Sequence, residues 1–71
     1  MELGVVERKV LGALMLMANE ANEVKTTVRK IAETIGYKEP GGAISFALRI
    51  LERDNHIVRV PNQKSTYKVL G

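Results

Sequence analysis

The sequence predicts a small α+β domain built from three helices, a short strand after the first of them, and a C-terminal β-hairpin. Three observations carry that prediction. Apolar residues recur at helical spacing as far as about residue 53 and at a period of two beyond it. Gly36, Pro40 and Asn55 fall where helices stop and start. The chain has 71 residues and no cysteine, so one core without disulfide support must suffice. Residues 1–71 are expected to form a single domain.

From about Leu3 to Ala21 the residues are good helix formers without proline. Val6, Val10, Ala13, Leu14 and Met17 form one apolar row, with Leu11, Met15 and Ala18 in a second and Leu16 on yet another side. Between Val10 and Ala18 the helix is therefore apolar nearly all round, unlike a one-sided surface helix. Val10, Leu14 and Met17 suit the domain's own core. Leu11, Met15 and Leu16 suit a second copy of the chain, as a homodimer through this first helix. Packing of both rows within one domain is the competing account.

Val24-Lys25-Thr26 alternates as a short strand does. Thr27 fits the N-cap of a second helix, with Val28, Ile31, Ala32 and Ile35 on one face and Gly36 at the left-handed position after it. Pro40 suits the first position of a third helix that runs to about Arg53. Its apolar arc holds Ala43, Ile44, Phe46, Ala47, Leu48, Ile50 and Leu51, leaving Gly42, Ser45, Arg49, Glu52 and Arg53 outside. Asn55 then replaces glycine as a left-handed stop. His56–Val60 and Thr66–Leu70 read as strands, joined by turn residues Pro61–Ser65.

At 45% apolar and 27% charged residues, the chain is an ordinary globular protein. Its net charge of +3 is located in one half. Residues 1–36 balance Glu2, Glu7, Glu20, Glu23 and Glu33 against Arg8, Lys9, Lys25, Arg29 and Lys30. Residues 37–71 set Glu39, Glu52 and Asp54 against Lys38, Arg49, Arg53, Arg59, Lys64 and Lys68. The whole excess lies in the second half, which points to a polyanionic partner. No segment reads as an export signal or a membrane span, so a cytoplasmic protein is expected, nucleoid-associated if prokaryotic.

The stretch TTVRKIAETIGYKEP resembles the helix-turn segment of winged-helix repressors, above all the N-terminal domain of LexA-type repressors. Thr27, Ile31-Ala32, Gly36-Tyr37, Lys38 and Pro40 hold the recurring positions. LRILERDNHIV resembles the close of the third helix in LexA-like and MarR-like winged helices, with Leu48, Leu51, Glu52 and Ile57 in the corresponding places. The likeness spans about residues 24–70. Asn55 stands where glycine is usual, and the third helix is one residue longer after Pro40 than in LexA-type domains. The chain carries no counterpart of the self-cleaving protease domain of those repressors, so no damage-response role is implied.

The resemblance implies a winged helix-turn-helix that binds double-stranded DNA and regulates transcription, as a repressor does. Its third helix would enter the major groove and its hairpin would lie on the backbone. Gly42, next to Gly41, permits close approach to a phosphate. Ser45 offers a hydroxyl, and Arg49 a fork for guanine. Thr27, Arg29 and Lys38 are candidate phosphate contacts around the second helix. Arg59, Gln63, Lys64 and Lys68 are candidates in the hairpin. For each, a solvated polar surface is the alternative. Phe46 sits at the rim of the apolar arc. It reads first as a packing residue and second as a contact for a thymine methyl.

Enzymatic chemistry finds no footing in the sequence. His56 is the lone histidine, Ser45 and Ser65 have no identifiable base beside them, and no nucleotide-binding glycine loop is present. No cofactor or metal is implied. Two other functions remain open: a winged helix that binds protein, and the DNA-binding module of a replication or chromatin-architecture protein.

Overall fold

The computed structural model describes residues 3–38 and 42–70. Its elements are α1 (Val5–Met17), β1 (Glu23–Lys25), α2 (Val28–Ile35), α3 (Gly42–Arg53), β2 (Ile57–Arg59) and β3 (Thr66–Val69). The strands form one antiparallel sheet in the order β1-β3-β2. This is the α+β arrangement that the sequence predicts, and it has the layout of a winged helix.

α1 is shorter at both ends than the expected Leu3–Ala21. Gly4 is its N-cap, and the Glu7 side chain accepts from the Gly4 amide at 3.1 Å. At the other end Ala18 is already extended. Asn19 explains the stop, because its Oδ1 accepts from the amides of both Ala21 and Glu23. A short polar side chain that captures local amides competes with the helix for them.

α2 begins as expected. Thr27 Oγ1 accepts from the Lys30 amide at 3.2 Å. The helix ends at Gly36, whose φ is 73°. There Gly36 N donates to Glu33 O and Tyr37 N to Ala32 O, the paired bonds of a Schellman stop. α3 ends by the same device with Asn55 (φ 63°) in the glycine's role. Asn55 N donates to Glu52 O, and His56 N to Leu51 O. The expected start at Pro40, and Gly41 after it, lie outside the described residues. β2 and β3 are each shorter than the expected His56–Val60 and Thr66–Leu70, and the turn between them is Pro61–Ser65.

The core is one cluster drawn from every element. It contains Val10, Ala13 and Leu14 of α1, Val24 of β1, Ile31 and Ala32 of α2, and Ile44, Ala47, Leu48 and Leu51 of α3. Ile57, Tyr67 and Val69 of the sheet close it. Met17 and Leu11 are half-buried against this cluster. Leu11 therefore belongs to the domain's own packing, a correction to its expected place beside Met15 and Leu16. Those two stay exposed, at 57% and 83%.

Candidate nucleic-acid interface

Because 3.6 residues complete a turn, Ile44, Ala47, Leu48 and Leu51 share one face of α3, and that face is buried. Gly42, Phe46, Arg49 and Arg53, spaced i, i+4, i+7 and i+11, form a lane on the opposite side and are exposed. The apolar arc of α3 is thus narrower than its sequence suggests, since Ala43 is also exposed. Phe46, 59% exposed, is not a packing residue. It stands in the lane with Arg49. Ser45 is half-buried at the edge. A Cβ on Gly42 would meet nothing within 4 Å, so packing does not require glycine there.

Arg49 lines an open depression with Phe46, Ile50, Glu52 and Arg53. Arg53 Nε donates to Asp54 Oδ1 at 3.3 Å, so its charge is partly shared. Glu52 reaches across to the sheet, where its carboxylate lies 3.6 Å from Arg59 Nε. The Arg59 guanidinium also stands over the Tyr67 ring, 5.9 Å from its centre. With 65% of its side chain exposed, Arg59 keeps a wet edge while two neighbours fix its direction.

Arg59 continues the surface into the hairpin. It lines a second depression with Gln63, Lys64 and Tyr67. Lys64 in turn lines a third with Lys25, Thr27 and Lys30. This last grouping follows from the sheet: β1 pairs with β3, and Thr26 N donates to Ser65 O at 2.9 Å, which ties the start of α2 to the hairpin turn. Left-handed Asn62 (φ 65°) and Ser65 (φ 56°) shape that turn. The Glu52–Arg59 ion pair joins the first depression to the second, and Lys64 and Ser65 line both the second and the third. Arg49, Arg53, Arg59, Lys64, Lys25 and Lys30 thus line three adjoining basic depressions, a track that passes from the helix side of the sheet at Arg59 to its outer face at Lys25. Two acids pair with its residues: Glu52 with Arg59 and Asp54 with Arg53.

Of the candidate residues, Thr27, Arg49, Arg59, Gln63 and Lys64 are brought onto this track. Gly42 and Ser45 flank it on α3. Arg29 and Lys38 are exposed on α2 and in the turn after it. Lys68 lines none of the three depressions. In the register of the sheet it lies opposite Glu23 on one side and Val58 on the other. Its neighbours Tyr67 and Val69 are buried and Lys68 is exposed, so it occupies the sheet's outer face, away from the helices. Lys25 and Arg53 are additions that sequence reasoning did not select, and the exposure of Phe46 favours its second reading, as a contact residue, over packing. The alternation in β1 already exposes Lys25, but only strand pairing puts it beside Lys64.

Among the described residues, no group of three acidic or histidine side chains stands close enough to hold a metal ion. No described helix is long and apolar enough to cross a membrane. Comparison of the chain with protein-family models, with curated proteins and with solved structures finds no match.

Proposed function

We propose that this chain binds double-stranded DNA sequence-selectively and regulates transcription in the cytoplasm, α3 in the major groove and the hairpin on the backbone. The observation that supports the reading is the series of adjoining basic depressions from the outer face of α3 through Arg59 to the hairpin turn and the start of α2. The major groove admits an α-helix, and basic side chains beside that helix can meet the flanking phosphates, which is the arrangement that duplex binding uses. The chain acts by binding and not by catalysis.

Titration of a random duplex at several salt concentrations tests it. Four to five phosphate contacts give a slope of log affinity against log salt of about −3 to −5 per chain. A slope near zero would end the DNA reading and leave a protein partner for the same surface. Binding selection over random duplexes separates a regulator, which enriches a sequence, from an architectural protein, which does not.

For the outer side of α1 we propose a second copy of this chain. Val5, Met15 and Leu16 are exposed there, and Gly12 between them has open space over its Cα. The last turn of α1 has no basic residue. An antiparallel pairing about Gly12 would bring Lys9 of each copy to that negative helix end.

A further inference from the structure

We propose that Phe46 reads the 5-methyl group of pyrimidines, so that duplexes bearing thymine or 5-methylcytosine are preferred over the same duplexes without the methyl. This rests on the duplex-binding reading above and specifies what the α3 lane recognises. Phe46 projects from the side of α3 directly opposite the buried face, and 59% of it is open to water. Its neighbours in the lane decide what can cover it. One turn earlier Gly42 has no side chain and nothing near its Cα. One turn later come Arg49 and then Arg53, both exposed. The ring is thus the largest apolar group on a strip that otherwise offers bare backbone and guanidinium groups, with half-buried Ile50 beside it.

An apolar protein surface laid over that ring would also desolvate Arg49, which has no ion-pair partner among the described residues. The major groove presents the complementary pattern. A thymine methyl projects into it beside the O4 acceptor, with the N7 acceptors of neighbouring purines and the phosphate walls within reach of the flanking arginines. The same methyl position is filled in 5-methylcytosine and vacant in uracil and cytosine. Burial of one methyl-sized group against the ring is worth about three- to fivefold in affinity.

The test uses the whole chain and duplexes of equal length that differ only in that methyl: alternating d(AT) against d(AU), and alternating d(GC) against its 5-methylcytosine form. Affinities are read by fluorescence anisotropy at one salt concentration, for the wild type, Phe46→Ala and Phe46→Leu. The wild type is expected to favour each methylated duplex by about three- to fivefold per methyl contacted. Phe46→Ala should erase the preference while keeping the salt slope, and Phe46→Leu should retain part of it. Equal wild-type affinity for d(AT) and d(AU), with a steep salt slope, would overturn the methyl reading and leave duplex binding standing. A methyl preference that survives Phe46→Ala would assign it to another residue and overturn the proposal. Absence of binding to any duplex at low salt would overturn the proposal and the reading beneath it together. The wild-type comparison needs no variant to fold.

Discussion

Gly12→Ala should stabilise the isolated domain, although glycine-to-alanine changes in folded proteins often do the reverse. Gly12 is the eighth residue of α1, well inside the helix, and it is exposed. A Cβ added there meets no atom within 4 Å, so the new methyl neither clashes nor packs. What remains is the backbone term, in which alanine exceeds glycine by about 0.8–1.0 kcal/mol in a helix interior. Unfolding entropy is about 2.1 cal/mol/K per residue, or about 150 cal/mol/K for 71 residues, so the melting temperature should rise by about 5–7 °C. Thermal unfolding followed by circular dichroism, at dilution where copies do not meet, reads this directly. The companion change Gly36→Ala should lower the melting temperature, because Gly36 has φ 73° and alanine loses about 1 kcal/mol or more there. An unchanged or lowered melting temperature for Gly12→Ala in the dilute protein would refute the claim that this side of α1 faces open solvent. At high concentration the same methyl should weaken self-association, since it would hold apart two helices that cross at Gly12.

Three further outcomes follow from the same geometry. Thr27→Ala removes the acceptor for the Lys30 amide and should cost about 1 kcal/mol in chemical denaturation, with Thr27→Ser recovering most of it. Arg49→Ala should cost about 1–3 kcal/mol on a selected duplex and relax base preference at one position, whereas Lys64→Ala should weaken all duplexes alike and reduce the salt slope by about one. Replacing both Met15 and Leu16 by serine should leave the melting temperature of the dilute protein nearly unchanged, because both are exposed. In sedimentation it should abolish any dimer that the wild type forms.

What the sequence disclosed and what it withheld divide along physical lines. The ends of α2 and α3 were legible because Thr27, Gly36 and Asn55 each satisfy backbone groups by local chemistry that sequence encodes directly. The end of α1 was not. Its apolar run continues to Ala18, and only the side chain of Asn19, committed to two amides of the following loop, decides where the helix stops. Phe46 failed for a related reason. Periodicity shows that α3 has a broad apolar arc, but which edge of that arc finds a partner depends on where α1 and the sheet lie. The places of Lys25 and Lys68 were not legible because charge along the chain carries no information on strand neighbours. Pairing of β1 with β3 sets Lys25 opposite Thr66, next to the hairpin turn, and Lys68 opposite Glu23, two residues further along the same outer face.

The sheet order has a consequence for how the protein is made. β3 is the central strand of the sheet and the last strand in the chain. Glu23 must find Lys68, and Ile57 must find Val69. During synthesis all three helices and both outer strands leave the ribosome before the segment that either strand pairs with. Helical turns form in about a microsecond or less once their residues emerge, but helices of 13, 8 and 12 residues are marginal alone in water, so α1, α2 and α3 persist only as they pack on one another. The undersides of those helices nevertheless stay open until Tyr67 and Val69 arrive to close the cluster. A chain halted in the hairpin turn is therefore a set of helices around an unsealed apolar surface, the kind of species that chaperones hold and proteases clear. Its release into the native fold depends on Thr66–Val69, the four residues of β3.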